Sequence, residues 1–173
     1  DGRLSESARD LHPYWTSAVC VLDEEQQRYL GTDVAMNLFV AERAKGTEPE
    51  SPWSHVMRHA AACHVGDLVN AIHTLPGGRV MYATASGALG TLVHVPEPVA
   101  RVLLCVQDAM IEVVPAPGDI PWESWRTSRT DTRTEPPHHI LDADVLRFFV
   151  SDPSVRSPCL DKAGSLAQAR DIP

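Results

Sequence analysis

The residues best able to do chemistry in this chain are its histidines and cysteines, with a few carboxylate and arginine groups. His55 and His59 stand four apart, the spacing that puts two imidazoles on one face of a helix and suits zinc. No Glu follows His55 in the manner of a metalloprotease, so the pair is a weak candidate. His138 and His139 are adjacent, and neighbours on a strand or helix point apart. They make a poor joint ligand pair and read as surface loop. Cys20, Cys63, Cys105 and Cys159 lie far from one another in sequence and form no CxxC motif. That excludes a zinc ribbon or thioredoxin-type motif, and they read as reduced core residues of an intracellular protein.

Nucleophilic and acid–base chemistry finds no better support. Ser86-Gly87 lacks the flanking pattern of a nucleophile elbow, and Gly77-Gly78 is too short for a phosphate loop. The carboxylates Asp23, Glu24 and Glu25, and the pair Asp142 and Asp144, stand where turns and helix caps are expected. Arg126, Arg129 and Arg133 could grip a phosphate, but Asp131 and Glu135 interleave with them and favour an ion-paired structural loop. The expectation is therefore no catalytic constellation, no metal site and no cofactor.

The elements that would position these groups change character near the middle of the chain. Residues 79–84 and 88–95 are rich in β-branched and small apolar residues, with Ser86-Gly87 between them to take the positive φ of a tight hairpin turn. After Pro96 the period changes. Val99, Leu103, Val106, Met110 and Val113 step by four and three, one stripe of a helix. Upstream, the spacing predicts strands over 14–22, 28–31, 36–42 and 69–75. Asp23 to Gln27 forms a charged turn, and Thr32-Asp33 closes another through side-chain hydrogen bonds. Residues 57–65 carry an Ala60-Ala61-Ala62 run of helical propensity, yet their strand neighbours predict a strand. Residues 44–52 read as a surface loop. Downstream, a helical turn begins at Trp122, 128–139 is a polar loop, and Asp142 or Asp144 caps a short helix. Residues 151–158 are loop, and 160–170 form a weak last helix. Strands eight to twelve residues apart with no helices between them suit an antiparallel meander, as in a propeller blade.

Composition bounds the class. The 173 residues allow one ordinary domain, with room for a small appendage, and 43% are apolar, enough for a packed core. Net charge is 15 − 23 = −8 with His neutral, which weighs against a nucleic-acid or anionic-membrane surface. The longest apolar run, 102–106, is far short of the roughly 20 residues of a membrane span. The opening Asp1-Gly2-Arg3, without an initiator Met, is expected of a fragment or a processed chain. Trp15 and Trp53 stand near strand ends among small residues such as Ala18, Ala85, Ser86 and Ala88. A flat sheet top of that kind accepts a partner helix; Trp15 as a core residue is the equal alternative.

The order of motifs resembles a known family. Residues 9–19 (Arg-Asp-Leu-His-Pro-Tyr-Trp-Thr-Ser-Ala-Val), Leu30-Gly31 and Asn37-Leu38-Phe39-Val40 begin it. Residues 64–70 (His-Val-Gly-Asp-Leu-Val-Asn) and 84–90 (Thr-Ala-Ser-Gly-Ala-Leu-Gly) follow. Trp125-Arg126, Thr134-Glu135-Pro136 and 140–146 (Ile-Leu-Asp-Ala-Asp-Val-Leu) complete it. Together they are similar to the family of the large subunit of damage-specific DNA-binding protein. That family also contains the large cleavage-and-polyadenylation specificity factor subunit and a splicing-factor subunit. The loop between Glu42 and Trp53 is shorter than in the family, Ala143 stands where the family has Gly, and the match fades after Val150.

The resemblance implies a mainly β fold with C-terminal α structure: the last blades of a seven-bladed β-propeller over residues 1–95, then a small helical domain over 96–173. It implies a non-enzymatic adaptor of cullin-4-type ubiquitin ligases, linked to DNA damage repair and found in nucleus and cytoplasm. Trp15, Leu68, Asn70 and Ala85 match positions lining the pocket for substrate-receptor proteins, whose inserted segment is helical. The cullin docks through another part of the complex; nucleic-acid contact is at most indirect, and no membrane is involved. A seven-bladed ring needs roughly 280 residues at about 40 per blade, so the rest of the same protein or a completing chain is a further expected partner. The alternatives are a subunit of an RNA 3′-end processing or splicing complex of the same superfamily, and an enzyme whose site the sequence does not reveal.

Overall fold

The computed structural model describes residues 2, 6–11, 14–45, 55–170 and 172. The chain forms two compact units, residues 1–93 with 126–139 and residues 94–125 with 140–173. In the first unit β2 (Thr16–Asp23), β3 (Arg28–Asp33), β4 (Asn37–Lys45) and β5 (His55–His64) make a four-stranded antiparallel meander. The short β1 (Arg9–Asp10) adds to β5 in parallel, giving the order β1-β5-β4-β3-β2. A second sheet, β6 (Val69–Leu75), β7 (Arg79–Thr84) and β8 (Leu89–Val93), is a three-stranded antiparallel meander.

Alternation divides the apolar residues of the first sheet between its faces, because successive side chains on a strand point oppositely. Leu30 and Leu38 pack with Val80 of β7, joined by Cys20, Val40, Ile72 and Leu92, so this face meets the second sheet. Phe39, Ala41 and Ala62 are buried on the other face under Tyr14 and Met57. Gly31 pairs with Phe39, and any Cβ at Gly31 would collide with the Phe39 ring. Its absence lets that ring stack on Tyr14 at 4.4 Å. The 57–65 expectation holds, since β5 is a strand through the whole alanine run. Cross-strand pairing outweighs the helical preference of three alanines.

Several expectations need correction. Met36 is not in a strand but in the β3–β4 turn, with φ of 64°. Asp33 Oδ1 accepts from the Asn37 amide at 2.9 Å and forces that turn. In the β7–β8 hairpin only Gly87 takes positive φ. The Gly87 amide donates to the Thr84 carbonyl at 3.0 Å, and the Ala88 amide donates to Thr84 Oγ1 at 3.0 Å. The loop is thus Ala85-Ser86-Gly87, a turn followed by a glycine bulge. Residues 44–45 belong to β4, and Trp53 with the rest of the expected 44–52 loop lies outside the described residues.

Residues 128–139 are not merely a polar loop. They hold the hairpin β9 (Ser128–Arg129) and β10 (Thr134–Glu135), and His138 bridges Ala62 of β5. In the second unit α1 (Glu97–Val113), α3 (Ala143–Ser151) and α4 (Pro153–Ala169) pack around one core of Cys105, Val106, Ala109, Met110, Cys159 and Ala163, to which the short α2 (Trp122–Arg126) adds no residue. Val99 is exposed, so the buried stripe of α1 begins at Val106, about two turns later than its periodicity suggests. Residues expected as loop at 151–158 are mostly the start of α4. Asp152 caps it by accepting from the Ser154 amide at 2.9 Å, and Pro153 occupies a first-turn position where its missing N–H costs nothing. Pro158 lies inside this helix, where it removes one backbone hydrogen bond. The burial of Cys159 and Ala163 against α1, with the ion pairs Lys162–Glu112 at 2.6 Å and Arg170–Asp108 at 2.8 Å, outweighs the lost hydrogen bond.

Candidate functional site

The four residues singled out for partner binding sit at one end of the two sheets of the first unit. Trp15 immediately precedes β2, and its side chain is 79% exposed. This removes the reading of Trp15 as core. Its carbonyl accepts from the Val34 amide at 3.0 Å, which ties it to the β3–β4 turn. Leu68 is half-buried; its amide is held by Asp67 Oδ1 at 2.8 Å, and its carbonyl accepts from the Ala85 amide at 2.8 Å. Ala85 is exposed at the hairpin tip. Asn70 is exposed on β6, at the register shift between Val69 and Ala71.

Ser17 links these pieces. Its hydroxyl donates to the Val69 carbonyl at 2.7 Å and lies 3.0 Å from Thr32 Oγ1, while Thr32 is fully buried. So the strand that begins beside Trp15 is stitched to the strand that begins beside Leu68. Asp67 caps the same corner: hydrogen bonds from Thr84 and Ser86 hold its carboxyl below the usual carboxylate range.

Two neighbours were missed in the sequence. Val34 and Met36 are both exposed in the β3–β4 turn, beside the backbone that holds Trp15. The available signal was two large apolar residues, Val34 and Met36, inside a segment that Asp33 closes into a turn. Exposed apolar side chains around a Trp are what a docking surface requires.

The groups weighed for chemistry are held in structural roles. His55 and His59 lie on β5, where four residues span about 13 Å, too far for one metal ion. His59 is buried and bonds Asp10 Oδ2 at 2.8 Å. Among the described residues no group of three His, Cys, Asp or Glu side chains could hold a metal. His138-His139 lie in the loop after β10, as expected, and the loop is tied down: His138 exchanges backbone bonds with Ala62 at 3.1 and 3.3 Å, and His139 Nδ1 lies 2.7 Å from the Ala60 carbonyl.

Asp23 Oδ1 accepts from the Gln26 amide at 2.9 Å, holding a turn. Asp142 caps α3 and accepts from Trp122 Nε1 at 2.8 Å. Arg126 donates to the His64 carbonyl at 3.4 Å, and Arg133 pairs with Glu135 at 2.8 Å. Burial pushes the thiols of Cys20 and Cys159 up, which suits core residues rather than nucleophiles. A hollow of about 190 Å³ lies against the face of the first sheet formed by Val19, Tyr29, Phe39 and Met57; apart from Asp10 it brings no charged group together.

Residues 1–151 match the family described as the CPSF A subunit region. The chain belongs to that family. Its fold is accordingly mainly β with C-terminal helices, made of β-propeller blades followed by a small helical domain. The chain is 27% identical over 165 residues to DNA damage-binding protein 1 of Drosophila melanogaster, covering 87% of this chain and 14% of that one. It is 27% identical over 164 residues to DNA damage-binding protein 1b of Arabidopsis thaliana, covering 87% and 15%. With DNA damage-binding protein 1 of Solanum lycopersicum it shares 26% over 179 residues, covering 96% and 16%. The chain therefore spans about one-seventh of the length of these relatives. Among the described residues no helix is long and apolar enough to cross a membrane.

Proposed function

We propose that this chain is part of a non-catalytic scaffold, the C-terminal portion of an adaptor of the cullin-4-type ubiquitin ligase kind. In this reading residues 1–95, joined by the 126–139 segment, are the last blades of a seven-bladed ring, and the rest of 96–173 is the helical domain after it. The end of the sheets bearing Trp15, Leu68, Asn70 and Ala85 contributes to the pocket that holds substrate-receptor proteins. The cullin binds elsewhere in the complex, and the protein works in nucleus and cytoplasm; the names of the relatives support a link to DNA damage.

The observation that carries the reading is the exposure of Trp15 in a backbone-locked corner with Val34 and Met36 beside it. A large aromatic left in solvent on an anchored stretch of backbone has little reason to be there except to meet a partner. Trp15→Ala, measured by receptor affinity in the intact protein, is expected to lose about 2 kcal/mol or more, roughly thirtyfold in Kd. Unchanged affinity removes Trp15 from the pocket.

A second reading is favoured by the family's own description, which names a CPSF subunit. It is a subunit of an RNA 3′-end processing or splicing complex. Affinity purification of the intact protein separates the two. Cullin and receptors supports the first, and polyadenylation or splicing factors supports the second.

A further inference from the structure

His59, in the middle of β5, has a side chain only 2% exposed. Charged or titratable groups meet it from several sides. On β1, Asp10 Oδ2 lies 2.8 Å from His59 Nε2. Tyr14 sets its ring centroid 4.9 Å from the imidazole. Arg133, just before β10, places a guanidinium nitrogen 3.3 Å from His59 Nδ1. Glu135 on β10 gives one oxygen to Arg133 at 2.8 Å; the other, Oε2, is buried with no hydrogen-bond partner among the described residues, 4.0 Å from His59 Nδ1. His138 Nδ1 is 3.6 Å from Glu135 Oε1. Among the described side chains of β4, Phe39 and Ala41 face it, and Arg43, further along the strand, bonds Gln27 at 2.9 Å.

The donors decide the state of the ring. A guanidinium can only donate, so Nδ1 must accept from Arg133, and the ring proton sits on Nε2, facing Asp10. The ring is then neutral. Among the described residues, the carboxylates of Asp10 and Glu135 and the Arg133 guanidinium are the charged groups that face the ring. A proton taken from solvent by Nδ1 would set donor against donor at Arg133, while Glu135 Oε2 waits on the same side as an unused acceptor.

We propose that His59 is the pivot of a pH-sensitive clasp on the β9–β10 hairpin. With the ring neutral, Arg133 ties the hairpin to β5; with the ring protonated, Glu135 replaces Arg133 as the partner of Nδ1. One proton is gained and one hydrogen bond is exchanged for another, with no other bond changed.

Hydrogen exchange of the intact protein tests this, read on peptides within 126–139 at about pH 8 and about pH 5.5. Each variant is compared with the native protein at the same pH, so the intrinsic pH dependence of exchange cancels. Arg133→Met is expected to speed exchange at the higher pH, with that effect falling by about threefold or more in acid. Glu135→Gln, which keeps an acceptor for Arg133, is expected to do the reverse, with its larger effect in acid. His138→Gln should leave the native pH dependence in place. Effects of Arg133→Met and Glu135→Gln that do not change with pH overturn the proposal. So does a His138→Gln variant that abolishes the pH dependence, because the proton then belongs to His138.

Discussion

In the helical unit one cluster contains nearly all the buried apolar residues: Cys105, Val106, Ala109, Met110, Cys159 and Ala163. In the β unit they divide between two clusters, Leu30, Leu38 and Val80 on one side of the first sheet and Phe39, Ala41 and Ala62 on the other. A helix offers one apolar stripe, and a few helices can turn all their stripes inward. A sheet has two faces. When both are apolar, covering one leaves the other to be met by something else. Large apolar side chains remain exposed on strands at the margins of the two sheets, Val19 at 63% on β2 and Leu89 at 72% on β8. That difference supports reading the β unit as part of a larger ring and the helical unit as a body with a core of its own.

The largest expected effect probes the independence of the two units. Met110 is fully buried in the helical core, so Met110→Ala should cost about 2–5 kcal/mol. Hydrogen exchange should show the loss in 94–125 and 140–173 and spare the strands. An equal loss of protection in β3 and β4 would mean that the two units unfold as one block.

A middle-sized effect belongs to the β unit. Asn37 is buried; its side chain donates to Asp33 Oδ2 and to the Arg129 carbonyl, each at 2.9 Å, and accepts from the Arg129 amide at 3.2 Å. Asn37→Ala strands buried partners at a cost of roughly 1–3 kcal/mol. Faster exchange should appear in 126–139, with the helical unit unchanged. Uniform loosening of both units would blur the contrast.

The smallest effect is electrostatic. Glu42 lies across from Arg28 and Arg58, at 3.2 and 2.6 Å, and the Arg58 hydrogen bond, then that of Arg28, holds its carboxyl below the usual carboxylate range. A lowered folded-state pKa stabilises the protein above the ordinary carboxylate pKa, and the gain is lost as pH falls through the lowered value. Glu42→Gln should therefore cost about 0.2–1 kcal/mol at neutral pH, with the difference from the native protein vanishing in strong acid. A difference constant with pH would show that the ion pairs contribute nothing.

Much of this was legible because it is local. The β7–β8 hairpin, the break at Pro96, the cap at Asp142 and the turn at Asp23 follow from residue type and period within a few positions. The candidate surface was partly legible: Trp15 stood out by type and by family resemblance. Its exposure did not, because an aromatic beside a strand reads equally well as core. Val34 and Met36 were hidden because alternation carried Met36 into the following strand, whereas Asp33 bonds the backbone and makes a turn.

The residues by themselves determined strand and helix identity in the long periodic stretches, the lack of a recognisable catalytic motif, and membership of a family through the order of short motifs. Only the tertiary structure decided what each polar group does. Asn37 and Arg129 are 92 positions apart, yet they share two hydrogen bonds. His59 and Arg133 are 74 apart and in contact. Gln107 breaks the apolar stripe of α1, yet it is buried and accepts from the Asp142 amide at 2.6 Å. Period and propensity act over one or two turns of chain. A buried donor finds its acceptor wherever the fold places one, because leaving it unpaired costs more than the distance along the chain.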